Sequence, residues 1–289
     1  MFYRNSFVTL FILLNALSFQ ACSVNKNETF RSPRDYNLNS PSILYLNDAL
    51  IEISGVCFYQ KDSSVFAISD ENGFLYKLQL KKNYNIQRWY FDKNHDFESV
   101  FLKDGIFYVL ASNGDIYALK FSAKGDTLTT QTTVFDPSGK KDDEFESLYY
   151  DPEKQSFIML CKNCKEDKND EVSAWGYNAD SGLFTPSVFK IATKSIANKL
   201  NIKKFKFEPS AATINPITGD LWILSSVNGI LVITDRNGNC KEAYKLNPSI
   251  FTQPEGITFT PSGDLIISNE AGNKYNQASI LIFKRKKIS

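Results

Sequence analysis

Three glutamates, Glu98, Glu146 and Glu255, stand at matching places in repeated short motifs, and Ser54 and Ser210 hold that place in two further copies. The next position is small every time: Gly55, Ser99, Ser147, Ala211 and Gly256. If folding gathers this column around one axis, three like charges meet and raise one another's pKa. A hard cation relieves the conflict, because calcium-type ions take six to eight oxygen ligands from carboxylates, hydroxyls and water. Glu98, Glu146 and Glu255 are therefore candidate metal ligands, with Ser54 and Ser210 as hydroxyl or water-mediated partners. The alternative is architectural: the same acids could cap neighbouring strands by accepting from main-chain N–H groups. Further along the copies come Asp70, Glu71, Ser112, Lys162, Ser226, Asn269 and Glu270. Of these, Asp70, Glu71, Lys162, Asn269 and Glu270 are candidates for ligand contact, against a plain turn-stabilising role.

Other reactive groups are few. His95 is the single histidine, and His95-Asp96 could pair a base with an orienting carboxylate. A lone histidine beside an aspartate in a loop is more often simply solvated. Cys161 and Cys164 form one C-x-x-C, without the second pair or the histidines that a zinc site needs. A local disulfide or two free thiols is the expectation. Neither a G-x-S-x-G elbow nor a Walker loop is present. Trp89, Trp175 and Trp222 are expected to pack between strands rather than form a sugar platform.

The elements that would position these residues repeat. Counted from Ser54, Glu98, Glu146, Ser210 and Glu255, the copies are spaced 44, 48, 64 and 45 residues apart. Each reads as strand, turn, strand, tight turn, strand. Asn72-Gly73, Asn113-Gly114 and Asn228-Gly229 supply turn residues that tolerate positive φ. A period near 45 with about four short strands per copy is the pattern of a β-propeller. The predicted fold is all-β, a five-bladed propeller, with six blades as the alternative if the 64-residue interval hides a degenerate copy. That interval carries two insertions, Lys165 to Glu171 and the basic stretch Lys190 to Lys206. The last copy ends soon after its third strand. The strand-like Ser42 to Leu46 is predicted to supply its fourth and so close the ring, hiding two sheet edges. First strands of propeller blades line the central channel, so the glutamate column and the second-turn residues should converge on one end of it.

The motifs Glu52 to Val56, Ser69 to Glu71, Phe97 to Ser99, Phe145 to Ser147, Pro254 to Ile257 and Ser268 to Glu270, in this order, resemble those of the SdiA-regulated family. These exported bacterial proteins are distantly similar to NHL-repeat proteins. The resemblance covers about residues 34 to 285. It implies a five-bladed propeller with a bound calcium ion; the family's name refers to regulation of a gene and does not imply DNA binding. At Pro209-Ser210-Ala211 the chain departs from the pattern, having no acid there.

The first residues read as an export signal. Arg4 precedes the short apolar run Phe7 to Leu17, which is below the ~20 residues of a membrane-spanning helix. The segment ends in Phe19-Gln20-Ala21-Cys22, which resembles a bacterial lipobox with Cys22 as the acylated residue. The expected organisation is a signal over residues 1–21, a polar tether over 22–41 and the propeller over 42–289. Lys and Arg total 33 against 32 Asp and Glu, so no net field draws the chain to nucleic acid. Expected partners are the membrane, through the lipid on Cys22, and an unknown protein, peptide or glycan on the channel face. The leading function is an envelope-anchored, calcium-binding interaction module. The alternatives are a calcium-dependent hydrolase of lactonase or esterase type and a purely structural envelope protein. Cys22→Ala should abolish labelling by a fatty-acid probe and release the protein from the membrane fraction; unchanged membrane association would contradict the lipid anchor.

Overall fold

The structure is a computed structural model and describes residues 29–136, 142–272 and 276–286. Cys22, the signal segment and the start of the tether lie outside the described residues. Five four-stranded antiparallel sheets form the blades. Blade 1 comprises Ile53–Tyr59, Ser64–Ser69, Asn72–Gln79 and Ile86–Tyr90. Blade 2 comprises Phe97–Lys103, Ile106–Ala111, Ile116–Phe121 and Leu128–Thr133. Blade 3 comprises Glu144–Asp151, Ser156–Asn163, Glu171–Asn178 and Leu183–Ala192. Blade 4 comprises Ala211–Ile214, Leu221–Ser225, Ile230–Thr234 and Cys240–Lys245.

Blade 5 takes three strands from the C-terminal end, Pro254–Phe259, Leu265–Asn269 and Ser279–Phe283. Its fourth is Ser42–Tyr45, paired antiparallel with Ser279–Phe283 in the register Leu44 opposite Ile280. The predicted closure and the five-blade count therefore hold. The six-blade alternative does not, because the long interval adds no sheet. Its first insertion folds as the short 3-10 turn Lys165–Asp167, and its second runs through the helix Thr193–Leu200. Ile196 and Ala197 of that helix are buried, Ile196 in the core between blades 3 and 4. No helix among the described residues is long and apolar enough to cross a membrane.

The alternating apolar residues of neighbouring sheets fill five separate wedges. Phe66 and Val109 pack between blades 1 and 2, Leu110 and Met159 between 2 and 3, and Ile158 and Ile223 between 3 and 4. Leu224 and Ile267 pack between blades 4 and 5, and Ile266 with Ala67 between 5 and 1. The N-terminal segment joins the 4–5 wedge through Tyr36 and Leu38.

The small column has a steric cause. A Cβ added to Gly55 would lie 2.6 Å from the main-chain N of Val100, and one on Gly256 2.6 Å from the carbonyl of Ser54. First strands of adjacent blades touch backbone to backbone, and the cavity left between Gly55, Ser99, Ala211 and Gly256 is only about 10 Å³. The channel is thus closed at mid-height, and its two ends are separate surfaces.

A chain beginning at Asp48 loses the closing strand together with buried Tyr36, Leu38, Leu44 and Leu46. It should fail to fold or melt at least ~10 °C lower, since buried large side chains each contribute several kcal/mol. A chain beginning at Ser32 should melt within about 3 °C of the whole protein. Equal melting of the two in calorimetry would contradict the closure.

Candidate functional site

The acidic end of the ring is built where first strands begin and second strands end. Main-chain bonds hold the two places together in each blade concerned. The Asp70 amide donates to the Glu52 carbonyl at 3.3 Å, the Ser112 amide to Asp96 at 2.8 Å, and the Glu270 amide to Gln253 at 2.9 Å. Blades 5 and 1 are joined at the same level by the Ala271 amide, which donates to the Ile51 carbonyl at 3.1 Å.

Carboxylate oxygens of Glu52, Asp70 and Glu270 all lie within 4.8 Å of one another. Gln253 Nε2 donates to Glu270 Oε2 at 2.6 Å. Asp70 Oδ1 is buried with no hydrogen-bond partner. Glu98 and Glu255 share the field of this trio. Burial pushes the Glu98 carboxyl up to about 9, Asp96 adds to the shift, Lys162 opposes it, and Glu255 and Asp70 raise it further. Burial likewise lifts Glu255 to about 7, against a Ser226 hydrogen bond, the Lys162 charge and Gln253. Glu270 rises to about 9 through burial, its hydrogen bond with Glu52 and the charges of Glu52, Glu255 and Asp70. Asp70 rises to about 6 through burial and the charges of Glu52, Asp96 and Glu71. Seven carboxylates from three blades, Glu52, Asp70, Glu71, Asp96, Glu98, Glu255 and Glu270, therefore act on one another at one mouth. Lys162, itself ion-paired with Glu146, is the described cation whose charge acts on Glu98 and Glu255.

The residues singled out by spacing meet different fates. Glu98, Glu255, Asp70, Glu270 and Lys162 come together in the mouth. Glu71 is exposed on the turn beside Asp70. Glu146 is buried and held by Lys162. The Ser54 hydroxyl donates to the Glu98 carbonyl at 2.6 Å, and that of Ser210 to the Pro254 carbonyl at 2.7 Å. Both hydroxyls thus stitch one blade to the next. Asn269 is buried, its Nδ2 donating to the Ile250 carbonyl at 2.8 Å while its Oδ1 has no partner.

Glu52, Asp96 and Gln253 belong to the mouth and were not among the expected site residues. Each stands two places before the column residue of its copy, ahead of Ser54, Glu98 and Glu255; Glu144 and Glu208 hold that place in the other two. A second polar column was therefore present to be read. Cys161 and Cys164 are joined in a disulfide that brackets Lys162. His95 packs on the rings of Phe97 and Tyr117, and its Nε2 lies 4.0 Å from Asp92 rather than pairing with Asp96.

A model of the family described as SdiA-regulated matches residues 36–277. The chain belongs to the SdiA-regulated family. No curated protein matches it. Among solved structures, the glutaminyl cyclase of Myxococcus xanthus superposes with a TM-score of 0.54 at 12% identity, over 86% of this chain and 98% of its own. A glucose dehydrogenase gives 0.53 at 10% identity, over 84% and 99%. A luciferin-regenerating enzyme gives 0.51 at 10% identity, over 86% and 98%. At such identities the likeness shows that this member of the SdiA-regulated family shares their fold.

Each lifted carboxyl holds its proton more tightly in the folded than in the unfolded chain. Its stabilising contribution is fully present below the unfolded value of about 4 and is lost as pH rises through the folded value. That window ends at about 6 for Asp70, about 7 for Glu255 and about 9 for Glu98 and Glu270. Protein kept in chelator should therefore melt several degrees lower at about pH 8.5 than at about pH 5.5, and Glu98→Gln should shrink the difference. A melting temperature that is flat or rises over this range would contradict the arrangement.

Proposed function

We propose that this chain is an exported, envelope-anchored propeller that holds calcium at its acidic mouth and presents that face to a protein, peptide or glycan partner. The observation that carries the reading is the convergence of Glu52, Asp70 and Glu270, with Glu98 and Glu255 alongside, in a partly buried mouth. The donor set fits the ion. All the candidate ligands are hard oxygens, the 4.8 Å envelope matches oxygens on opposite sides of an ion with bonds of ~2.4 Å, and Asp70 Oδ1 is an acceptor without a donor. Glu52, Asp70 and Glu270 would hold the ion. Glu98 and Glu255, placed by the original column, would lose their mutual repulsion and ionise. Bound calcium would supply a fixed positive centre able to take an oxygen ligand of a partner.

The chain's own groups shape the rest of that face. Ser54 and Ser210 tie the first strands together and so fix the spacing of the acids. Lys162, held by Glu146, sets a positive group beside them. Anchoring rests on the lipobox-like segment ending at Cys22. The hydrolase alternative requires a base beside the ion, and the single histidine is engaged with Phe97, Tyr117 and Asp92; no catalytic role is assigned.

Calcium should raise the melting temperature by about 5–10 °C at a hundredfold excess over Kd, because it binds only the folded state. Glu52→Gln with Glu270→Gln should abolish that increment without lowering the metal-free melting temperature. The measurement is differential scanning fluorimetry with chelator back-titration. No response of the wild type up to millimolar calcium, with no metal retained by elemental analysis, would overturn the reading.

A further inference from the structure

On the end opposite the acidic mouth, blades 1 and 2 leave an open cleft of about 570 Å³. Its walls are the rings of Tyr59, Phe66, Trp89, Phe107 and Phe121, with Phe66 and Phe107 4.5 Å apart and Trp89 and Phe121 4.9 Å apart. The volume lies in the range of sites that take a ligand or an inserted side chain.

The same ring shows what such a cleft accepts. Between blades 4 and 5 the corresponding cleft is filled by Tyr36. The correspondence is one of register. Trp222 lies opposite Thr213, three places after Ser210, as Phe66 lies opposite Cys57, three places after Ser54. Ile233 is opposite Trp222 as Lys77 is opposite Phe66, and Glu242 is opposite Ile233 as Gln87 is opposite Lys77. Gly263 and Gly105 each stand two places before the second-strand residues Leu265 and Phe107, which face Phe259 and Leu102.

In the filled cleft the Tyr36 ring meets Trp222 edge-on at 5.2 Å and Phe259 at 6.3 Å. Its hydroxyl donates to the Gly263 carbonyl at 2.7 Å. At blades 1 and 2 the aromatic wall is present and Gly105 lines the opening, while every residue lining it comes from those two blades. An apolar ring with a hydroxyl donor is what the vacant position is shaped to take.

Charge decides the flank. Arg34, two places before Tyr36, shares a cavity with Asp220 and Glu242. The blade 1–2 cleft has Lys61, Lys77 and Gln87 there instead, and no acid among its lining residues. Lys77 is paired with Asp62, whereas Lys61 is exposed and lies 6.0 Å from the Tyr59 ring. We infer that this cleft docks an extended peptide segment of a partner protein in which a tyrosine follows an acidic residue by two places. The site is independent of the acidic mouth.

The test is calorimetric titration and amide chemical-shift mapping on the full-length protein with three capped hexapeptides. One carries glutamate two places before tyrosine, one has lysine for that glutamate, and one has phenylalanine for the tyrosine. The first should bind, shift amides in Tyr59 to Phe66 and Gly105 to Phe107, and bind equally in calcium and in chelator. Lys61→Glu, a change at an exposed position, should weaken it about three- to tenfold and strengthen the lysine peptide. The phenylalanine peptide should bind more weakly than the tyrosine peptide. Absence of saturable binding at millimolar peptide, equal affinity for the glutamate and lysine peptides, or no effect of Lys61→Glu would overturn the proposal. So would a concentration-dependent dimer that Lys61→Glu dissolves, since the occupant would then be a second copy of this chain.

Discussion

Backbone contact between the first strands of neighbouring blades is the constraint on which the molecule depends. Gly55 and Gly256 sit where a Cβ would strike the next strand, and Ser54, Ser99 and Ser210 donate hydroxyls across the same gaps. Once five strands are drawn this close, whatever side chains begin them must share one small mouth. The ring is closed by Ser42–Tyr45 on the last blade, so the constraint runs from one end of the domain to the other.

Acids placed there are costly. Two ionised carboxylates 4.8 Å apart repel by about 3 kcal/mol at an effective dielectric near 20. Domains are stable by only about 5–15 kcal/mol, so several such pairs would consume much of the margin. Lys162 offsets a part, but it is already committed to Glu146. Two outcomes remain for the rest: protonation, which is the direction taken by Glu98, Glu255, Glu270 and Asp70, or neutralisation by a cation. These outcomes exclude each other at any one carboxylate, which couples proton and metal binding.

The blades were legible because turn chemistry and strand alternation repeat at near-constant spacing, and the missing fourth strand of the last copy pointed directly to Ser42 to Leu46. Convergence of Glu98, Glu255, Asp70 and Glu270 followed from that geometry alone. Ser54 and Ser210 were harder, since a hydroxyl at a strand start has the same spacing whether it faces an ion or a neighbour's carbonyl. Glu52 and Gln253 escaped notice, and Asp96 was weighed only beside His95, because they precede or sit at the edge of the strand core, although the three form a column of their own. Tyr36 could not be placed at all: its partners Trp222, Phe259 and Gly263 are remote in sequence and meet it only after the ring has closed.

The coupling of proton and metal is the most direct test of this account. Calcium would be titrated calorimetrically into stripped protein near pH 7 in two buffers of different ionisation enthalpy. One ion per chain should bind with release of one or more protons, as Glu98 and Glu270 give up protons held to about pH 9. Calcium binding without proton release, or no binding, would contradict it.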